Sequence, residues 1–212
     1  MYYYIVGTLL ALMLIWVIGS YLVIWSIEEP AYKVIEQKDG YEIREYAPYI
    51  KAEVTVTGSY DEATRQGFRL IADYIFGNNV AKESISMTTP VLEATNAPTS
   101  EKIAMTTPVL ETATGNTSRN IAFVLPSKYT LDTLPRPNNN AVSLVAVPTR
   151  TVAVLRFTWY PTATRIAEKT TLLQTYLGRD RKKGIGSVET ARYNPPLSMP
   201  LTLRNEIIIP IE

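Results

Sequence analysis

The sequence predicts an α+β fold in which an N-terminal membrane helix precedes a domain of two related β-β-α-β units. Three observations carry that expectation. Residues 1–27 hold no charged side chain, the remainder switches between period-two and helical apolar patterns, and the second half repeats the element order of the first.

The apolar run YIVGTLLALMLIWVIGSYLVIW is long enough to cross a bilayer core, for which about 20 residues suffice. Tyr2, Tyr3 and Tyr4 at one end and Trp25 at the other suit the two interfaces, where an aromatic ring keeps its polar edge wet. A cleaved signal peptide fits less well: there is no basic n-region, no clear small-x-small site, and the run exceeds the roughly 7–15 residues of an h-region. Residues 1–27 are therefore expected to form a single-pass anchor, with 28–40 as linker and domain entry and 41–212 as the domain. Lys33, Lys38 and Arg44 follow the span, and only the amino terminus precedes it, which leans the domain towards the cytoplasmic side.

YEIREY and YIKAEVTVTG alternate apolar and polar residues, giving strands over 41–46 and 49–57 around a turn at Pro48. In SYDEATRQGFRLIADYIFGNN, Ser59 or Asp61 can cap a helix whose apolar face carries Ala63, Phe68, Ile71, Ala72 and Ile75. Arg65, Arg69 and Asp73 take the other face, and Gly77-Asn78-Asn79 stops the helix. AVSLVAVPTRTVAVLRFTWYPTATRIAEKTTLLQTYLG repeats strand, proline turn, strand and helix. One hundred residues on, Pro48 meets Pro148, Val54 meets Val154, Tyr60 meets Tyr160 and Ala63 meets Ala163. The repeats span about 41–125 and 141–212.

The phrase MTTPVLE starts at Met87 and again at Met105. Ile103, Met105, Thr107 and Val109 would share one face of an extended strand, as would Ile85, Met87, Thr89 and Val91, with Pro90 or Pro108 suiting an edge or bulge. The bland expectation is a duplicated strand forming a hairpin across ATNAPTSEK. The sharper one is that both copies line the mouth of a cavity, where Met87 and Met105 offer soft apolar surface to a ligand.

A net charge of +1, from 21 basic and 20 acidic residues, gives no field that favours nucleic acid. With neither cysteine nor histidine, the chain has no disulfide, no thiolate or histidine-based catalysis and no histidine ligand for haem iron.

YEIREY, DEATRQGFRLIADYIFGNN, KIAMTTPV and the terminal YNPP…RNEIIIPI, in this order, resemble the SOUL, or haem-binding protein, family over nearly all of the chain after Tyr32. The resemblance implies a distorted antiparallel β-barrel or paired sheet with two flanking helices in pseudo-twofold symmetry. It further implies reversible binding of haem or another porphyrin in an apolar groove beside the first helix of the domain, in a carrier or buffer role. The positions that would contact the tetrapyrrole fall on Arg65, Phe68, Ile71 and Ala72. Arg65 would pair with a propionate, and Phe68 and Ile71 would cover the macrocycle. If protein coordinates the iron, Met199 or a tyrosine is the candidate; binding by apolar burial without a strong ligand is the expectation, and would tolerate metal-free porphyrin.

GRDRKKGIG places Arg179, Arg181, Lys182 and Lys183 in a loop, read as solvated or as a contact for anionic lipid or propionates. Glu206, ahead of the central strand IIIPI, is expected to be tied to Arg204 or another cation. The fold also resembles effector-sensing domains of the GyrI-like type, which keeps open a pocket role for Glu206 and Glu53 toward cationic or amphipathic ligands. Nothing shows a nucleophile with an adjacent base, so no enzymatic activity is expected. Oligomeric state is not legible.

Overall fold

A computed structural model describes residues 1–25, 27–81, 100–114, 117–195 and 198–212. Helix α1 (Tyr2–Trp25) is apolar all round, and its Tyr2–Ser20 portion is long and apolar enough to cross a membrane. The domain follows as β1 (Tyr32–Gln37), β2 (Glu42–Tyr46), β3 (Tyr49–Thr57), α2 (Tyr60–Ile75), β4 (Asn79–Val80), β5 (Val109–Ala113) and β6 (Ser118–Val124). Then come β7 (Arg136–Pro137), β8 (Ser143–Val147), β9 (Arg150–Phe157), α3 (Ala163–Arg179), β10 (Glu189–Arg192), a 3-10 turn at Pro200–Thr202 and β11 (Asn205–Pro210).

Nine strands form one antiparallel sheet in the order β1-β2-β9-β11-β10-β5-β6-β3-β8, while β4 and β7 pair separately. The two halves, β2-β3-α2-β5-β6 and β8-β9-α3-β10-β11, exchange their first strands. Tyr46 pairs with Arg150, so β2 lies on β9, and Tyr49 pairs with Val147, so β8 lies on β3. The turns at Pro48 and Pro148 thus send each strand to the opposite half instead of closing a hairpin. The domain entry also contributes β1, an exposed edge strand on β2.

Alternation along the strands builds two faces. One carries the helices: α2 covers Ala52, Val54, Val56, Ile121 and Phe123, and α3 covers Ile43, Ala153, Leu155, Ile207 and Ile209. The helix-free face carries Tyr46, Ala122, Val124, Val152, Val154, Ala191 and Ile208, with Tyr193 packed among them. Its edges curl towards each other, since Arg150 Nη2 on β9 donates to the Tyr49 hydroxyl on β3 at 2.7 Å. Gly67 marks where α2 comes closest to the sheet; a Cβ there would lie 2.5 Å from Ile121 Cγ1.

Candidate functional site

Helix α2 begins at Ser59, whose backbone N and hydroxyl both donate to the Glu62 carboxylate. Its inner face buries Ala63, Gly67, Ile71, Ala72, Tyr74 and Ile75. Arg65 lies three and four residues before Phe68 and Arg69, which in turn lie four and three before Ala72 at the border of that face. Phe68 is 36% exposed, with its ring 5.1 Å from that of Phe123. Arg65 and Arg69 line a shallow recess with Thr57, Glu62 and Gln66. Helix α2 therefore presents an accessible aromatic ring, with two arginines on the neighbouring strip of the same helix.

The other sequence-predicted site residues divide. Ile71 is completely buried and packs under α2, so it supports the helix instead of facing solvent, and Ala72 is 9% exposed at the border. Met105 is 45% exposed on the segment that leaves Ile103, whose N bonds the Ile75 carbonyl at the end of α2. Met199 is buried beneath the Pro200–Thr202 turn, with its N bound to the Ser20 hydroxyl, and is not in the α2 cluster. Met87 and the first MTTPVLE copy lie outside the described residues, and with them the hairpin expected between the copies. In the second copy the expected one-face alternation fails. Residues 103–108 form no strand, Ile103, Thr106 and Thr107 are buried, and Met105 points outward. The Thr106 hydroxyl donates to the Val124 carbonyl and anchors this segment to β6.

A second concavity, of about 580 Å³, was missed by the sequence reading. Pro30, Pro48, Ile50, Leu125, Pro126 and Val147 supply apolar wall, and Thr106 of the doubled phrase borders it. Polar groups at its rim are occupied: the Glu28 carboxylate accepts from Ser127 N at 2.8 Å, and the Glu28 carbonyl accepts from Thr107 N at 2.9 Å. The available signal was three prolines at places where strands begin or end, which no periodicity argument groups together.

The curled face of the sheet holds charge already compensated. Glu206 is completely buried; its carboxylate accepts from Arg44 Nη1 at 3.0 Å, Arg204 Nε at 3.0 Å and the Tyr193 hydroxyl at 2.7 Å. Arg204 forks onto Glu29 at 2.9 and 3.0 Å, and Arg44 Nε donates to Glu42 at 2.7 Å. Burial pulls the Arg44 pKa down, but Glu206 and bonds to Tyr46 and Glu42 more than offset it, leaving it above the ordinary value. Burial, reinforced by Glu206, raises the Tyr193 phenol well above its usual range. Glu206 is thus tied both to Arg204, as expected, and to Arg44. Glu53 likewise bonds Lys51 at 2.7 Å and Asn120 at 3.0 Å.

Between the two helix clusters, Glu111 accepts from Arg119 and Arg192, each at 2.9 Å, while the Tyr60 hydroxyl bonds the Pro161 carbonyl. The basic loop after α3 is largely paired within the chain: Arg179 with Asp180, Lys182 with Glu36, and Lys183 with Glu212. Among the described residues, no group of three or more acidic side chains is placed to hold a metal ion.

Comparison with known proteins places this geometry. The C-terminal domain of EcmrR shares the fold, with a TM-score of 0.58 at 8% identity over 85% of this chain and 98% of that one. A hydrolase from Listeria innocua aligns with a TM-score of 0.50 at 10% identity, over 84% and 94% of the two chains. At such identity the likeness concerns the fold alone. In sequence, heme-binding protein 2 of Homo sapiens is 29% identical over 191 residues, 86% of this chain and 85% of that protein. The family profile described as SOUL heme-binding protein matches residues 27–100 and 92–210, two stretches that meet in the region of the doubled phrase. With both halves of the domain matched, the chain belongs to the SOUL heme-binding family.

Proposed function

We propose that the domain binds haem or a related tetrapyrrole reversibly, as a carrier or buffer, and that α1 anchors it to a membrane. Family membership over both halves of the domain is the observation that carries this reading. The accessible Phe68 on the border of α2, with Arg65 and Arg69 on the same helix, supports a location there. The Phe68 ring offers a flat apolar contact to the macrocycle, and the guanidinium groups match propionate carboxylates. Ala72 and Met105 extend the apolar contact, while Ile71 holds the helix from below.

The donor set fits the ring better than the iron. The sequence has no histidine or cysteine, and Met199 is buried against Ser20, away from the α2 border. Recognition through the ring and propionates makes metal-free protoporphyrin a ligand comparable to haemin. Sensing of a cationic molecule has less support, because Glu206 and Glu53 already have cationic partners.

The test is a titration of the full chain in detergent with haemin and protoporphyrin, following the Soret band and tryptophan quenching. Phe68→Asp is expected to weaken both about tenfold or more, and Arg65→Ala only a few-fold, as suits an exposed ion pair. Unchanged affinity in both variants would remove the α2 site. Loss on Val147→Trp instead would move the ligand to the proline-walled groove.

A further inference from the structure

Trp159 stands in the left-handed backbone region, with φ 75°. A bulky residue adopts that conformation only where its surroundings impose it. Both of its backbone groups are pinned: Trp159 N donates to the Pro200 carbonyl at 3.1 Å, and its carbonyl accepts from Asn205 Nδ2 at 2.8 Å. The indole so held is 42% exposed, and its ring lies edge-on to Tyr160, itself 50% exposed. Leu201, in the turn that Trp159 grips, is 60% exposed. Three large apolar side chains therefore face outward from one rigid corner.

The same corner touches α1. Met199 N donates to the Ser20 hydroxyl at 3.1 Å, and Ser20 lies five residues before the end of α1 at Trp25. The corner is thereby held beside the C-terminal turns of α1, about 7.5 Å along the helix axis from Trp25. Arg165 Nη1 bonds the Tyr160 carbonyl at 2.6 Å and puts a cation beside the rings. Tryptophan and tyrosine edged by a cation suit the boundary between acyl chains and phosphate headgroups.

We propose that Trp159, Tyr160 and Leu201 form a second membrane contact, seated in the lipid interface beside α1. The inference rests on the reading that α1 spans the bilayer. A single helix leaves a tethered domain free to swing; a second contact on a pinned corner fixes which face looks at the membrane.

The test uses the full chain in phosphatidylcholine liposomes containing lipids brominated either near the headgroup or near the chain end. One variant, W16F/W25F, keeps only Trp159; another, W25F/W159F, keeps only Trp16. Trp159 should be quenched most by bromine near the headgroup, as expected for a contact about 5–10 Å deep, and Trp16 by both lipids. Quenching of Trp16 without Trp159 would overturn this inference and leave the anchor standing. Quenching of neither would overturn both. Adding Leu201→Asp to W16F/W25F should roughly halve the Trp159 signal, an estimate based on shallow interfacial burial. An unchanged signal would overturn the part given to the turn.

Discussion

Replacing Glu206 by Gln tests whether the sheet interior is held by compensated charge. The carboxylate receives three hydrogen bonds, from Arg44, Arg204 and Tyr193, and the Arg44 side chain is only 4% exposed. An amide of equal size keeps one acceptor but turns an NH2 towards an arginine N–H. At least one charge-assisted bond, worth about 1.5–3 kcal/mol, is lost, and two guanidinium groups lose a shared counter-charge. Arg204 retains Glu29 and Arg44 retains Glu42, which keeps the loss near the lower end of the roughly 3–5 kcal/mol seen for a broken buried pair. Urea unfolding of the full chain in micelles, followed by near-UV circular dichroism, should show about 3 kcal/mol less stability at unchanged m. With Arg44→Met added, the combined loss should fall short of the sum by about 1 kcal/mol or more, because the two residues share one interaction. A single-variant loss below about 1 kcal/mol, or simple additivity, would mean that water and not Glu206 satisfies the arginines, and the argument would fall.

Two further outcomes are expected. Gly67→Ala would place a Cβ 2.5 Å from Ile121 Cγ1 and 2.7 Å from its Cβ, against a fully buried side chain. Overpacking of about 1–3 kcal/mol should outweigh the helix-propensity gain of roughly 1 kcal/mol, so the melting temperature should fall, and a rise would show that α2 can lift from β6. Burial, with the Asp180 carboxylate bonded at 2.9 Å, pushes the Tyr41 phenol up to about 12. A folded-state pKa above the unfolded value contributes stability that is full below about pH 10 and lost as pH rises through about 12. Tyr41→Phe should therefore flatten the decline of melting temperature across that window by a few degrees, and parallel curves for the two proteins would refute the assignment.

Local pattern carried the helices and the central strand well. The cap at Ser59, the apolar stripe of α2 and the run Ile207–Ile209 are all properties of neighbouring residues. Strand exchange was not legible, because which partner β2 takes depends on where β9 arrives about a hundred residues later. The extended reading of residues 103–108 failed for a related reason. Thr106 turns inward to bond the Val124 carbonyl while Met105 points outward, a choice made by β6 and not by alternation. At the candidate site, Arg65 and Phe68 are where helical spacing puts them. Ile71 is on the expected apolar face but completely buried, and 3.6 residues per turn cannot say how deeply a helix sinks into its sheet. The groove walled by Pro30, Pro48 and Pro126 joins residues nearly a hundred positions apart and left no periodic trace.

The packed interior also bears on how a flat ligand reaches this protein. On the curled face Arg44 bonds Tyr46 and Glu206, Tyr193 bonds Glu206, and Arg150 bonds Tyr49, so entry there would expose several paired charges. Access from outside the sheet, at the α2 border or in the proline-walled groove, avoids that cost. The groove begins at Glu28, three residues beyond the end of α1 at Trp25, and a chain extended at roughly 3.5 Å per residue separates the two by no more than about 10 Å. If α1 is anchored as proposed, the groove mouth stands at the lipid surface, where an amphipathic tetrapyrrole concentrates by partition. Anchoring then does more than localise the domain. It would set the domain beside the phase in which such a ligand concentrates, and Val147→Trp should slow uptake from liposomes more than uptake from solution if the groove is on that route.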